Sequence, residues 1–450
     1  MDRIRLPINS SEEKNQPLQS DSAASHAIVE AVTGLAGPFL IIAQNSLSAE
    51  KIFSELKFFL NKSENIVYLP DWETLIYDSF SPHDDIISNR LEVLNKIQEN
   101  PYLLVVAPCQ TLMHKLPPPS FVFGSSLLIE TEQEINIGEL RQSLKTKVYR
   151  EVKTVVAHGE YAIRGSIIDI FPMGSETPYR VDLFDNIVDS IRTFDPETQR
   201  SLVKKNKISM FPAKEFPFTK TDINNFKNQW HIHFGGEPKH CPVYRDVSNG
   251  IPPAGIEYYL KFFFERAATI FDYLPNETMI FSESIEEQVN EFWRNAETRY
   301  QSLRFDISRP ILPTKDIILD PEDFFRHMGS RSFSNFEAIK KKNSTTNNYI
   351  VLPNEFRKRE RTSPIMPLIE LSEVSKKRLL IVAETDGRRE LIDETLRKEG
   401  IKAETVKNWG SFVQSDARIA ITAASMQRGF ASKLFDVITE RELFGEETFL

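Results

Sequence analysis

Residues 160–195 read EYAIRGSIIDIFPMGSETPYRVDLFDNIVDSIRTFD. Short apolar runs separated by turn residues make this stretch consecutive β-strands, in a chain that is otherwise mixed helix and strand. The run 178–184 alternates. If Tyr179, Val181 and Leu183 face a core, period-two geometry places Arg180, Asp182 and Phe184 on the opposite face. A solvent-side Phe beside an Arg suits a protein-binding surface, because aromatic and Arg anchors carry most interface energy. Packing of Phe184 beneath a neighbouring element is the alternative, and the alternation leaves both open. His158-Gly159 and Gly165 read as turn and bulge positions. A bulge at Gly165 leaves the facing of Arg164 undecided, since a one-residue slip exchanges faces. Residues 173–177 and 185–186 supply the connecting turns.

The surrounding chain is long enough for roughly three domains. Its 450 residues are 40% hydrophobic and include 32 Phe, enough for several packed cores. A formal net charge of -9 gives no global basic field for nucleic acid and leaves only local patches open. Two cysteines, Cys109 and Cys241, form no disulfide framework and fit a reducing compartment. The start MDRIRLPINSSEEKNQ has no apolar core of a leader, and no segment is long and apolar enough to span a bilayer. The expectation is a cytoplasmic protein without a membrane partner.

Before the β-rich stretch, strands at 39–43, 66–69 and 103–107 alternate with helices at 23–32 and 47–60, the pattern of a parallel α/β layer. That layout invites a test for nucleotide binding. A phosphate cradle needs Gly for close backbone approach and a Lys-Ser/Thr pair for phosphate and Mg²⁺. The loop after the first strand reads QNSLSAEK, without Gly, and GxxxxGK[ST] occurs nowhere. A nucleotide-binding layout lacking its nucleotide site is the reading.

Three residue sets resemble chemistry and have simpler uses. Asp71, Glu73, Asp78, His83, Asp84 and Asp85 offer acid/base or metal groups. Ser81-Pro82-His83-Asp84-Asp85 also reads as a helix start, with Ser and Asp as caps and acids favouring the dipole. His231, His233, His240 and Cys241 follow H-x-H-x₆-H-C and lack a second well-spaced ligand pair. Lys340-Lys341-Lys342, Arg357-Lys358-Arg359 and Arg361 form basic clusters in a polar linker, read as a solvated face, with nucleic-acid contact the alternative. The run PPAGIEYYLKFFFERAATIFDYLP reads as core. Residues 281–300 read as an exposed amphipathic helix, residues 307–325 as a Pro-bounded strand and helix, and residues 376–445 as a small α/β unit. Neither internal repeats nor sustained heptads occur.

Three long collinear segments, DWETLIYDSFSPHDDIISNRL, HGEYAIRGSIIDIFPMGSETPYRVDLFDNIVDSIRTFD and PAGIEYYLKFFF, resemble the N-terminal part of the Mfd family, the bacterial transcription-repair coupling factors. The resemblance implies a UvrB-like region that recruits UvrA, with the β-rich insert as the UvrA-binding domain. It places the family's UvrA-contacting residues on Arg164 in AIRG, Arg180 in PYR and Phe184 in DLF. It also implies the domain plan: 1–126, an α/β domain without a nucleotide site; 127–209, the UvrA-binding domain; 210–348, the second part of the UvrB-like α/β region; 349–375, a linker; and 376–450, a small α/β domain. The expected fold class is thus multidomain α/β, with a degenerate P-loop-type domain lacking Walker A, an inserted β-rich domain and a C-terminal α/β domain.

Unlike UvrB, the chain has no P-loop, and Tyr77-Asp78-Ser79-Phe80-Ser81-Pro82 leads almost directly into a helix, without room for a DNA-clamping β-hairpin. No catalytic residue, metal or cofactor is expected in this chain. ATP and Mg would belong to motor domains of the parent protein, and RNA polymerase and double-stranded DNA would be reached through other parts of it, which makes the chain a fragment or a truncated product. Two other readings are a stand-alone UvrB-like ATPase or helicase that binds damaged DNA, and a DNA-binding module.

Overall fold

The computed structural model describes residues 22–33, 35, 37–60, 65–100, 102–235, 237–336, 368, 377–426, 428–432 and 434–444. The basic clusters at 340–342 and 357–361, and the linker around them, lie outside the described residues. The chain divides into two compact units, residues 28–342 and residues 1–27 with 343–450.

In the larger unit, β1 (Phe39–Ala43), β2 (Ile66–Tyr68) and β3 (Leu104–Pro108) join two later strands in one sheet. FLIIA and LVVAP are buried at every position, as strands covered on both faces must be. Helix Ser46–Phe59 is capped by Asn45, whose side chain accepts from the Ser48 amide. Helix Asp84–Glu99 carries two acids in its first turn and Lys96 in its last, matching the helix dipole.

The β-rich insert begins with β4 (Leu127–Glu130) and then builds a sheet from β5 (Arg150–Glu151), β6 (Glu160–Arg164), β7 (Ile167–Ile170), β8 (Tyr179–Phe184), β9 (Ile187–Phe194) and β10 (Ser201–Lys205). The spatial order is β10-β9-β8-β7-β6-β5, antiparallel except for the β5/β6 pair. The following strand, β11 (Lys207–Met210), returns to pair with β4. One sheet face contributes Tyr161, Ile168, Ile170, Val181, Leu183 and Ile191 to a core continuous with that of the α/β layer.

Helix Asp84–Glu99 meets the insert through polar contacts as well. Arg90 is fully buried and donates from Nε to Glu215 at 2.7 Å and from Nη1 to the Pro70 carbonyl at 2.7 Å. Trp72 Nε1 donates to the other Glu215 oxygen at 3.2 Å. Asp84 receives Lys214 and Arg150, and His158 lies 2.5 Å from Asp85.

Completing the first sheet, β12 (Met279–Ser282) and β13 (Ser332–Asn335) give the order β13-β12-β1-β3-β2, all parallel. The expected single helix over 281–300 is therefore two elements: a sheet strand through Ser282 and a helix from Glu286 to Leu303. The strand expected within 307–325 is irregular chain with a 3-10 turn at Thr314–Asp316, while helix Pro321–Gly329 follows as read. The aromatic run is core: Tyr258, Tyr259, Phe262 and Phe263 are all buried.

The smaller unit holds β14 (Arg378–Ala383), β15 (Glu404–Thr405), β16 (Ile419–Ala423), β17 (Phe430–Ala431) and β18 (Phe435–Thr439), ordered β15-β16-β14-β18-β17. Its core gathers Leu379, Ile381, Ile392, Leu396, Ile421 and Ile438. His26 lies edge-on to Trp409 at 5.1 Å, and burial lowers its pKa to about 4. The molecule is a mixed α/β protein with several sheets.

Candidate functional site: the outer face of the antiparallel sheet

The second face of the β-rich sheet carries charged side chains beside a small buried apolar cluster of Val155, Ala162, Phe171 and Phe194. Register sets Asp169 of β7 opposite Ala162 of β6 and Arg180 of β8, and sets Arg180 opposite Arg192 of β9. Asp169 is an acid inside the apolar run IIDIF, and it is fully buried. An ionised carboxylate in such a place requires cationic partners. Arg180 supplies a side-on fork, Nε to Oδ1 at 2.7 Å and Nη2 to Oδ2 at 3.0 Å. Its Nη1 donates to the Gln199 carbonyl at 3.3 Å, and its guanidinium stands 5.0 Å over the Phe194 ring. Hydrogen bonding to Asp169 raises the Arg180 pKa, with burial opposing it.

Arg164 reaches the same carboxylate through Nη2. Gly165, with φ of 62°, sits in the two-residue turn between β6 and β7, and Arg164 pairs directly with Ile167. The expected bulge at Gly165 is thus a tight turn, which leaves the register unbroken and Arg164 on the Asp169 face. The sheet's irregularities lie instead between Asp182 and Leu183, where β9 carries an extra residue, and between Ser201 and Lys204 of β10.

Phe184 ends β8 opposite Ile187, and the two are 73% and 49% exposed at the hairpin tip. The alternative of Phe184 packed into a core is thereby removed. Along the strand, Phe184 is about 13 Å from Arg180, on the same side by period two. The row Arg164–Ile167–Asp182 runs between them. The structure therefore brings Arg164 and Arg180 onto one carboxylate and places Phe184 further along the same face.

Sequence reasoning missed Asp169 and Arg192, and placed Asp182 on this face without its partners. Arg192 is paired with Asp182, which also accepts from Ser190 Oγ at 3.1 Å. Register supplies these partnerships, and a single strand's alternation does not reveal it. The spacing of IIDIF was the available signal: a charge in a wholly apolar run needs a partner.

The other residue sets are dispersed. Asp71 accepts from Thr111 Oγ1 at 3.1 Å and lies 3.8 Å from His114 Nε2, whose pKa burial lowers to about 4. His83, not Ser81 or Asp84, caps the helix, accepting from the Asp85 amide at 3.4 Å; Ser81 donates to Glu257. His231 Nε2 is within 3.2 Å of the Tyr244 hydroxyl, His233 Nδ1 within 3.0 Å of the Gln229 carbonyl, and Cys241 donates to the Ile307 carbonyl. Among the described residues, no group of three or more His, Cys, Asp and Glu side chains could hold a metal.

At the carboxyl ends of β1 and β12, Glu283 Oε2 accepts from the Gln44 amide at 2.7 Å and from Ser48 Oγ at 2.8 Å. A buried carboxylate thus occupies the start of the helix that follows the first strand, where a phosphate binds in nucleotide folds. Nearby, Cys109 donates to the Gln44 carbonyl, and burial pushes its thiol up to about 12. Residues 69–83 form no strand, and Arg299 and Arg309 donate to the carbonyls of Ile76 and Tyr77. No helix among the described residues is long and apolar enough to cross a membrane.

Comparison with known proteins places this face in a named region. Residues 127–216 match the family described as the UvrB interaction domain, and residues 372–443 match the Mfd D3 domain. The transcription-repair-coupling factor of Haemophilus influenzae is 34% identical over 413 residues, covering 90% of this chain and 35% of that protein. That of Escherichia coli is 32% identical over 453 residues, covering 99% of this chain and 39% of its own length. That of Bacillus subtilis is 26% identical over 440 residues, covering 90% and 36%. The chain thus spans somewhat over a third of the length of the curated relatives it matches.

Proposed function

We propose, for a chain related to the transcription-repair-coupling factors over somewhat more than a third of their length, that it is their UvrA-recruiting module. The reading rests on one observation: inside the segment that matches the UvrB interaction domain, Arg164, Arg180 and exposed Phe184 share an outer sheet face. Arg180 spends three of its five N–H donors on Asp169 and Gln199, leaving two, and Arg164 spends one, leaving four. Those remaining donors suit carboxylates on a partner, and Phe184 supplies an apolar anchor beside them.

In this reading the parent protein is an ATP-dependent DNA translocase that links stalled RNA polymerase to nucleotide excision repair. RNA polymerase, double-stranded DNA, ATP and Mg engage other parts of it. The chain itself performs no catalysis. The Glu283 carboxylate at the first helix start supports a degenerate nucleotide site, because its negative charge stands where a phosphate would need one absent.

The test is capture of the chain by UvrA. Phe184→Ala abolishes capture, while circular dichroism and melting stay near wild type, because Phe184 is exposed and anchors no buried charge. Retained capture by the folded variant contradicts the reading. DNA-stimulated ATP turnover by this chain would instead favour a UvrB-like ATPase.

A further inference from the structure

We infer that Asp169 is a positioning residue of the partner-binding face: it fixes the two guanidinium groups before any partner arrives. The inference rests on the reading of this face as the UvrA site and goes beyond it by assigning a residue that touches no partner. Asp169 is on β7, flanked by β6 and β8, with no exposed surface. Both its oxygens are taken, Oδ1 by Arg180 and Oδ2 by Arg180 and Arg164 together. A side-on fork fixes the plane of the Arg180 guanidinium as well as its position. The Gln199 carbonyl and the Phe194 ring hold that plane from two further sides. Arg164 is half-exposed and has one such tether.

Two long side chains that would otherwise sample many rotamers are thus ordered during folding rather than on association, and preorganisation of this kind strengthens binding. A second role for the same carboxylate would be neutralisation alone, cancelling one of two neighbouring positive charges. The two roles predict opposite signs for one substitution. Asp169→Asn keeps the size and removes the charge, so the face gains one net positive charge. If charge alone governed association, an acidic partner would bind the variant more tightly. If positioning governs, the loosened arginines bind it less tightly.

The experiment is calorimetric titration of UvrA into the full chain, with Asp169→Asn, Asp169→Glu and Phe184→Ala alongside wild type. Arginine Nε–H nuclear magnetic resonance spectra of each chain are recorded without UvrA. Positioning predicts that Asp169→Asn loses the slowly exchanging Arg180 Nε–H signal and weakens binding on the order of tenfold. Asp169→Glu preserves charge and displaces the carboxylate, so it weakens binding as well. It decides the matter if the Asn variant melts early. Affinity that is unchanged or tighter in a folded Asp169 variant, with Phe184→Ala weakened, overturns the inference and leaves the UvrA reading standing. Unchanged affinity in Phe184→Ala overturns the UvrA reading, and the inference with it.

Discussion

Two arginine–carboxylate systems in the larger unit are built from the same groups and face opposite ways. Arg90 and Glu215 are 0% and 2% exposed, and the remaining contacts of both lead inward, to Pro70 and Trp72. At Asp169 the carboxylate is as deeply buried, yet Arg164 and Arg180 keep 52% and 18% of their side chains exposed. The first pair joins a helix of the α/β layer to the β-rich insert. The second uses a buried acid as an anchor for cations that remain available outside. Arginine beside an acid is therefore no signature by itself. What separates the two uses is where the unspent N–H donors point.

The contrast can be broken by substitution. Replacing Arg90 with Met leaves Glu215 charged in the interior and costs about 3–5 kcal/mol of stability. Thermal melting measures this, and a loss below about 1 kcal/mol would place Arg90 with surface pairs.

The pH dependence of stability sharpens the inward side of the comparison. Burial holds His114 at about 4 in the folded chain, while an unfolded histidine titrates near 6.5. Between those values the unfolded chain binds more protons, so the full stability seen above about pH 6.5 is lost as pH falls toward 4. The loss is roughly 3 kcal/mol, read from melting between pH 7 and 4.5. His26, held at about 4 by burial as well, adds its own share, so His114→Phe lowers the slope by about half, and an unchanged slope would remove His114 as a source.

On the outward side, Phe184→Ala lowers UvrA affinity by about 2 kcal/mol and changes melting by less than about 0.5 kcal/mol. A melting loss of several kcal/mol would mean that Phe184 packs after all. The smallest effect belongs to Glu283→Gln, which keeps an acceptor for Gln44 and Ser48 and costs about 1 kcal/mol, with UvrA affinity unchanged. Altered affinity in that variant would tie the helix start to the partner face.

The parallel sheet was legible in the sequence because FLIIA and LVVAP are buried at every position, which short apolar runs announce. Its edge was not. SFSN is a polar four-residue strand, and MIFS ends four residues before a helix starts, so the helical period of 286–303 hid the strand. At the candidate site, alternation placed Arg180 and Phe184 on one face of β8, as the structure has them. Arg164 depended on whether Gly165 made a bulge or a turn, a distinction that resides in φ and pairing. Asp169 depended on the register of three strands, which no one segment encodes. The capping nitrogen of His83 went unread because Ser81, the better cap by type, is engaged with Glu257 and the Gly255 amide.

Several apolar side chains outside this face are also exposed, among them Phe80, Phe305 and Ile307 at 68%, 75% and 83%. They make the most direct measurement a footprint. Carbene labelling of the chain with and without UvrA reports which side chains the partner covers. Loss of labelling at Phe184 and Ile187, with Phe80, Phe305 and Ile307 unchanged, is the predicted result. Protection of Phe80, Phe305 and Ile307 with Phe184 still labelled would contradict the placement of the partner site on the outer face of the antiparallel sheet.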